Sequence, residues 1–421
     1  MKRIVLIAFF SIHCMTLQAE ATACPTWITI FVHGSIKPQF SLANIAKIAR
    51  DNLPHSTCWL GTEIIRNDPY FYQNQAIQAL GLHPIDTSHE KEGYAAGSFA
   101  HIYEKLCSLN CPTQVNNRYY TYGWSGLLSH KSRYQDAKQF YDSLSKELKK
   151  LALQGLNPKV RIIGYSHGGN IGINLAEVRK NEYPNDTFTI DEIYLIGTPI
   201  QPLTMECAQH SIFGHIYHFY SHGDWVQKLD SHAQRKFDSF NDFDKKKMPN
   251  ITQIKMKVYK RYAPPGKAHI LPKKINPKTQ RRIDPGHMEL WFFGWTIYWY
   301  RENFPLNPLP MGVLLGWITQ LIKQVSPDMD DISFGIFPEL NMVTIKSEQR
   351  HEQKRTRRCS FLSPTQFQEL RTIAHEYRPD PAYFNKAAYK SRKRMAYYQA
   401  HVYDKAYQRE KKRNLHERDL N

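Results

Sequence analysis

A serine between two glycines marks the place in this chain where residue types and spacing best fit a chemical role. Ser166 stands in the pattern Gly164-x-Ser166-x-Gly168, directly after a largely β-branched run at residues 160–163. A serine in such a strand-to-helix turn has a strained backbone, and its hydroxyl points out from the end of the sheet. The flanking positions must be glycine because a Cβ there would collide with a neighbouring strand or helix. The spacing predicts a nucleophilic serine on a sharp turn.

Helical periodicity on both sides of the serine supports this interpretation. Before it, apolar residues at helical spacing predict a helix over residues 134–153, and after it Ile171, Leu175 and Val178 continue that period. Because so short a pattern also arises by chance, the flanking elements carry most of the weight. They place Ser166 at the end of a strand, between two helices.

A nucleophilic serine needs a general base and a carboxylate that orients the base. His287 follows Asp284-Pro-Gly and precedes an apolar segment predicted to be a long helix, which suits a base presented on a loop tip. Asp224 follows the strand-like residues 215–220 and a glycine, which suits a carboxylate at the end of a strand. His222, His232 and His269 compete with His287 for the role of base.

Two backbone N–H groups must also face the serine to hold an oxyanion. One comes from the residue after the nucleophile, which is His167, and the other from a loop after an earlier strand. We assign the second to Ser35, since the apolar strand at residues 27–32 ends in His33-Gly34 and a glycine there lets the backbone approach the site. The His33 side chain itself is expected to pack inside the protein.

These pieces resemble the α/β-hydrolase family, in its lipase and esterase branch. The chain order Ser166, Asp224, His287 is the nucleophile, acid, base order of that family. Residues 192–199 also resemble a strand and loop of such lipases, and the resemblance covers roughly residues 26–300. It implies an α/β fold with a mostly parallel central sheet and helices on both faces. It also implies hydrolysis through an acyl-enzyme, with no cofactor.

The chain divides into three regions by composition. Residues 1–23 begin Met-Lys-Arg, continue with an apolar run and end in small residues, which predicts a signal peptide and a secreted or cell-envelope protein. Residues 24–345 form the predicted hydrolase domain, with insertions near 52–117 and 227–285, and the first insertion is a candidate cap over the site. Residues 346–421 form a basic, tyrosine-rich C-terminal extension.

The cysteines and other ligand types favour disulfides over a metal site. Of 7 cysteines, removal of Cys14 with the signal peptide leaves six, an even number that favours disulfides in an exported chain. Cys107 and Cys111 are the local pair that we expect to be bonded. The sequence has no Cys-x-x-Cys pair and no cluster of His and Asp ligands, so we expect no metal and no cofactor.

The charge of the chain is strongly positive, with 56 Lys and Arg against 38 Asp and Glu and a formal net charge of +18. Much of the excess lies in the C-terminal extension, where basic clusters alternate with tyrosines. An anionic membrane surface is therefore a candidate partner through this tail, and a solvated extension without a ligand is the second interpretation. Nucleic acid is an unlikely partner, because the export signal separates the chain from it.

The sequence supports two hypotheses of function. The first is an exported serine hydrolase that cleaves carboxylic esters, above all lipid acyl esters, with Ser166, His287 and Asp224 as its triad. The second is an envelope- or membrane-associated binding protein on a catalytically silent hydrolase scaffold. Within the first hypothesis, ester, thioester, amide and acyl-transfer chemistry share this machinery and stay open.

Overall fold

A computed structural model describes the segments of the chain that build the fold. They are residues 26–36, 73–87, 94–110, 117–127, 130–226, 250–260, 280–295, 304–327, 331–348 and 356–384. The predicted signal peptide, the candidate bases His232 and His269, and most of the basic tail lie outside them.

A single β-sheet is the framework of these segments. Its strands are β1 (Trp27–Val32), β2 (Gly81–Ile85), β3 (Arg118–Gly123), β4 (Lys159–Tyr165), β5 (Ile190–Ile196), β6 (Phe213–Tyr220), β7 (Ile251–Lys260), β8 (Arg281–Ile283), β9 (Asp331–Phe337), β10 (Met342–Ser347) and β11 (Thr356–Ser360). They pair in the order β11-β10-β9-β7-β6-β5-β4-β1-β3-β2, and β8 pairs with β7.

The sheet is mixed and mostly parallel. The strands β3, β1, β4, β5, β6, β7 and β9 run parallel to one another, whereas β2, β8, β10 and β11 form antiparallel pairs. The parallel strands all end at one edge, which we call the carboxyl edge, so side chains that follow these strands meet there. Strand β4, which leads to Ser166, lies in the middle of the sheet.

Helices cover both faces of the sheet. They are α1 (Ala95–Asn110), α2 (His130–Leu153), α3 (His167–Glu182), α4 (Pro202–Ala208), α5 (Leu315–Val325) and α6 (Pro364–Glu376). Phe140 of α2 and Leu175 of α3 belong to one apolar core, while α1, α5 and α6 contribute to another. Alternation along β4 places Ile162 in the first core and Ile163 in the second. The predicted α/β class with a mostly parallel sheet is confirmed.

The two helices that flank Ser166 are also confirmed. Helix α2 covers the predicted residues 134–153 and begins at His130. Helix α3 begins directly after Ser166, and its residues Ile171 and Leu175 are buried as their spacing predicts.

The long helix predicted after His287 is wrong over the described residues. A 3-10 turn at Met288–Leu290 is followed by chain that is not helical as far as residue 295. The backbone here bonds to another segment, because the N–H of Phe293 donates to the carbonyl of Asn74 at 2.9 Å. An α-helix would need that N–H for its own hydrogen bond.

The first predicted insertion contains two described elements, β2 and α1. Within residues 52–117, β2 joins the sheet beside β3, and α1 lies in the core with α5 and α6. Both elements therefore belong to the body of the domain.

The domain boundary predicted at residue 345 falls inside β10. Strand β10 pairs with β9 on one side and β11 on the other, and α6 buries Leu370 and Ile373 in the same core as the sheet. Ser363 begins α6 with a capping box, since its hydroxyl accepts from the Gln366 N–H at 3.2 Å and the Gln366 side chain accepts from the Ser363 N–H at 2.9 Å. The start of the predicted extension thus completes the domain.

The described cysteines bear on the predicted disulfides, and the described helices were compared with what a membrane span requires. Cys107, Cys207 and Cys359 are free thiols, and Cys111, the predicted partner of Cys107, lies outside the described residues. Among the described helices, none combines the length and the apolar character that crossing a membrane requires.

Arg161 and Glu192 form a buried ion pair between β4 and β5. They are partners across the two strands, with Arg161 Nη2 2.8 Å from Glu192 Oε2, and Lys323 on α5 approaches the other oxygen at 2.7 Å. Burial raises the pKa of the Glu192 carboxyl, but the two cations outweigh it and bring the pKa down to about 2. The core therefore holds a charged carboxylate at neutral pH.

Replacing Glu192 with glutamine is expected to lower the free energy of unfolding at pH 7 by about 3 kcal/mol, because Arg161 is left buried without its counter-charge. The folded pKa lies below the ordinary 4.5, so the charged form adds stability above that value and loses it as the pH falls toward 2. Urea titrations at pH 7 and pH 3 measure this, and the gap between wild type and Glu192→Gln should narrow at pH 3.

The control for this variant is Glu206→Gln, which changes an exposed glutamate on α4. It should change the free energy of unfolding by less than about 0.5 kcal/mol. Equal stability of wild type and Glu192→Gln at pH 7 would contradict the role given to the ion pair.

Candidate active site

The turn between β4 and α3 has the strained shape predicted for a nucleophile. Ser166 precedes the first turn of α3 with φ 53° and ψ −132°, a conformation that residues with a side chain rarely adopt. Its N–H donates to the carbonyl of Ile196 at the end of β5 at 2.8 Å, and its carbonyl accepts from the Gly169 N–H at 3.0 Å. Such strain costs about 1–3 kcal/mol and persists only where the surroundings impose it.

Gly164 and Gly168 are required by close backbone contacts. A Cβ on Gly164 would lie 2.5 Å from the Cα of Gly169, and a Cβ on Gly168 would lie 2.2 Å from the carbonyl oxygen of His33. Neither distance leaves room for a side chain. The second contact also shows that the loop after β1 runs directly past the first turn of α3.

Asp224 and His287 are paired at the carboxyl edge. Asp224 Oδ2 lies 2.7 Å from His287 Nδ1, and the Asp224 side chain is fully buried. The other carboxylate oxygen, Oδ1, accepts from the Val226 N–H at 3.0 Å. Because an ionised carboxylate only accepts hydrogen bonds, Nδ1 carries the proton and Nε2 is left with its lone pair. The imidazole is held in the tautomer that can accept a proton from an alcohol.

Strands β7 and β8 lie between Asp224 and His287 in the chain and bring it back to the carboxyl edge. Strand β7 ends at this edge, and β8 pairs antiparallel with its last residues, 258–260. The turn after β8 then packs on the turn that carries the acid, since a Cβ on Gly223 would lie 2.1 Å from the carbonyl oxygen of Asp284. This contact explains the glycine before Asp224 and brings His287 to it.

The structure therefore brings Ser166, Asp224 and His287 to one edge of the sheet. His222, a competing candidate for the base, lies in the turn after β6 that also carries Asp224, but the carboxylate pairs with His287. The candidates His232 and His269 lie outside the described residues.

Tyr165 links the nucleophile turn to the base. Its hydroxyl donates to the carbonyl of His287 at 3.1 Å, and the centroids of the two rings are 4.7 Å apart. Trp291 also stacks on the Tyr165 ring, with centroids 5.4 Å apart and an interplanar angle of 3°. Because Tyr165 directly precedes Ser166, these contacts hold His287 against the strand end that leads to the serine. Sequence reasoning missed Tyr165, for which the only signal was an aromatic residue inside the glycine-serine pattern.

Glu289 lies against the turn that carries the base and was also missed. A Cβ on Gly286 would lie 2.5 Å from Glu289 Oε2. Burial raises the pKa of the Glu289 carboxyl and the charge of Asp224 raises it further, while backbone hydrogen bonds at Glu289 and Gly286 lower it without cancelling the rise. The site thus has a second acidic group close to the Asp224–His287 pair.

The two segments assigned to the oxyanion hole meet at Ser166. His167 is the first residue of α3, where the backbone N–H groups of a helix lack intrahelical acceptors and the helix dipole is positive. On the other side, a Cβ on Gly34 would lie 3.0 Å from the Cβ of Ser166, so the loop that carries Ser35 passes beside the nucleophile. This loop and the start of α3 are the two sources of donors that an oxyanion hole needs.

The His33 side chain has a structural role in that loop. It is fully buried; its Nδ1–H donates to the carbonyl of Gly34 at 2.6 Å, and its Nε2 accepts from the Trp124 N–H at 3.2 Å. The indole N–H of Trp124 donates to the carbonyl of His33 at 2.7 Å. These bonds fasten the loop that carries Ser35 to the end of β3.

Gly197 packs against the Asp224–His287 pair, and its replacement tests the catalytic role predicted for that pair. It has φ 55°, and a Cβ there would lie 2.8 Å from Asp224 Oδ2 and 3.3 Å from His287 Nδ1. Gly197→Ala should therefore displace the pair and lower kcat for an ester by about 100-fold. Gly155→Ala is the matched control, because Gly155 has φ 73° but nothing lies within 4 Å of an added Cβ. Equal kcat values for the two variants would contradict this prediction.

The fold and the site together define a class of protein. It is an α/β protein with a mostly parallel sheet that carries a strained serine and an Asp–His pair at its carboxyl edge. Among the residues that the structure describes, no group of three or more His, Cys, Asp or Glu side chains is placed to hold a metal ion. No protein-family model, curated protein or solved structure matches the chain.

Proposed function

We propose that this protein is an exported serine hydrolase of the α/β-hydrolase type that cleaves carboxylic esters, and in particular lipid acyl esters. The observation that carries the proposal is the 2.7 Å contact of Asp224 with His287 at the same sheet edge as the strained Ser166 turn. The chain order of the three residues is that of α/β-hydrolases. The buried carboxylate, the fixed tautomer and the strained serine are the arrangement that activates a hydroxyl.

Each residue has a defined part in the proposed reaction. Ser166 Oγ attacks the ester carbonyl while His287 Nε2 takes the hydroxyl proton, and the Asp224 carboxylate stabilises the imidazolium that forms. The backbone N–H groups of Ser35 and His167 hold the negative oxygen of the tetrahedral intermediate. His287 returns the proton to the leaving alcohol, which leaves an acyl-enzyme. Water activated by His287 then releases the acid and restores Ser166.

The surface next to the acid supports an apolar acyl group in the substrate. Trp225 is 69% exposed and Val226 is 38% exposed, and both directly follow Asp224. Large apolar side chains are otherwise scarce on the described surface, and Trp is common at the boundary between water and lipid. An apolar rim beside the catalytic pair favours esters with a hydrocarbon chain over short polar ones.

Hydrolysis of p-nitrophenyl esters by the purified full chain tests the proposal. We expect steady release of nitrophenolate, with a higher kcat/KM for butyrate or longer chains than for acetate, and an initial burst if deacylation is slow. A folded chain that hydrolyses none of these esters would overturn the proposal and would favour the silent scaffold.

A further inference from the structure

A group of buried amide and indole side chains lies at the carboxyl edge, outside the proposed catalytic machinery. The segment 73–80 leads into β2, whose first residue, Gly81, pairs with Gly123 at the end of β3. Since β3 is one of the parallel strands, this segment stands at the same edge as Ser166.

The segment is bound to the chain that follows the proposed base. The Trp291 indole N–H donates to Gln75 Oε1 at 3.2 Å, and the Phe293 N–H donates to the carbonyl of Asn74 at 2.9 Å. Trp295 stacks on Phe293 with ring centroids 4.3 Å apart. Residues 73–75 and 291–295 thus form one packed unit.

Several polar atoms in this unit are buried without a hydrogen-bond partner. They are Gln73 Oε1, Gln75 Nε2, Trp295 Nε1 and, on the adjoining helix α1, Ser98 Oγ. Each of these four residues is no more than 7% exposed. Helix α1 adjoins the unit, because Phe99, the residue after Ser98, contacts Trp291 with ring centroids 4.8 Å apart.

Unpaired buried groups of this kind call for a physical explanation. Each one costs about 1–3 kcal/mol when it is removed from water without a new partner. Native proteins keep few of them, and each one calls for a partner such as a water, an ion or a bound molecule. Four such atoms in adjoining segments are therefore available to a polar group of another molecule.

The position relative to the base identifies which part of a substrate would reach this unit. The leaving alcohol must lie on the His287 side of the scissile bond, because His287 donates a proton to its oxygen. Trp291 follows the base in the chain, stacks on Tyr165 and bonds to Gln75. The unit therefore adjoins the side of the site that faces the leaving alcohol.

We propose that Gln73, Gln75, Ser98 and Trp295 form a subsite for free hydroxyl groups on the alcohol portion of the substrate ester. The unpaired atoms are an amide acceptor, an amide donor, an indole donor and a hydroxyl, and none belongs to a charged side chain. A hydroxyl both donates and accepts, so a neutral polyol or sugar satisfies them and a phosphate or carboxylate does not. This inference rests on the proposed function, since it concerns the substrate of the same site.

A pair of esters that differ only in hydroxyl groups tests the subsite. Glyceryl monobutyrate and propyl butyrate share the acyl group and the three-carbon alcohol. We expect the wild type to prefer the glyceryl ester by about 10-fold or more in kcat/KM, because a site built to bind hydroxyls discriminates against an analogue without them. Gln75→Leu and Gln73→Leu should each lower kcat/KM for the glyceryl ester by about 10-fold and leave that for propyl butyrate unchanged.

The matched control is Gln154→Leu, which removes an exposed amide at the end of α2. It should change neither value. An equal loss on both esters in Gln73→Leu and Gln75→Leu would overturn the subsite, because buried water or a structural role would act in that way. No preference of the wild type for the glyceryl ester would also overturn it.

A binding measurement separates failure of the subsite from failure of the proposed function. In Ser166→Ala, which cannot turn over, the change in intrinsic tryptophan fluorescence, to which Trp291 and Trp295 contribute, reports binding of either ester. We expect a Kd about 10-fold lower for glyceryl monobutyrate than for propyl butyrate, and loss of the difference in Ser166→Ala/Gln75→Leu. Equal Kd values would reject the subsite even if the wild type is an esterase. Hydrolysis of propyl butyrate by the wild type tests the proposed function by itself.

Discussion

Replacing Ser166 with alanine is expected to lower kcat for p-nitrophenyl butyrate by about 10⁴- to 10⁶-fold, the largest effect of any substitution in this protein. The variant keeps the backbone of the turn but has no atom that can form the acyl-enzyme. KM should change little, because the residues that contact the bound substrate, apart from the Ser166 hydroxyl, are the same. Initial rates over a range of ester concentrations give both constants.

The matched control for this prediction is Ser108→Ala. Ser108 is exposed on α1, where its hydroxyl donates only to the carbonyl of Lys105 at 2.7 Å. This variant should keep the wild-type kcat. A loss of less than about 10-fold in a folded Ser166→Ala would show that another nucleophile, or none, carries the activity.

Replacing Asp224 with asparagine is expected to lower kcat by about 10³- to 10⁴-fold while the fold is kept. The reason lies in how the carboxylate is bonded: one oxygen accepts from the Val226 N–H and the other from His287 Nδ1. In Asp224→Asn, the amide oxygen keeps the hydrogen bond from the Val226 N–H. The amide NH₂ then faces His287. The imidazole must then accept at Nδ1 and carry its proton on Nε2, which is the tautomer that cannot act as a base.

This prediction has a control of the same chemistry. Asp142→Asn changes an exposed aspartate on α2 that bonds to Tyr183, and it should leave kcat unchanged. Circular dichroism and thermal unfolding check that Asp224→Asn is folded. A kcat for Asp224→Asn within 10-fold of the wild type would remove Asp224 from the catalytic role.

The parts of the site that could be predicted are those whose signal is local in the chain. The strand, turn and helix around Ser166 follow from β-branched residues, glycines and helical periodicity within a short segment, and the structure has all three. Asp224 and His287 were found because each directly follows a glycine, Asp224 after a predicted strand and His287 before a predicted helix. A Cβ at Gly223 or Gly286 would come too close to a neighbouring residue, which explains why both positions are glycine.

The parts that could not be predicted depend on contacts between distant segments. The apolar run after His287 predicts a helix, yet the N–H of Phe293 donates to the carbonyl of Asn74 and not to a carbonyl within a helix. The boundary expected at residue 345 follows the basic composition, whereas the burial of Leu370 and Ile373 decides that α6 belongs to the core. The role of Tyr165 arises only once His287 has been brought back to it by β7 and β8.

The most direct test of the central claim is covalent labelling of the full chain by a fluorophosphonate, which reports an activated serine whatever the natural substrate. The labelled peptide is identified by mass spectrometry in wild type, Ser166→Ala and His287→Ala. Our account predicts one modification, on Ser166, that is absent in Ser166→Ala and at least about 100-fold slower in His287→Ala. A folded wild type that is not labelled, or is labelled on another residue, would contradict it.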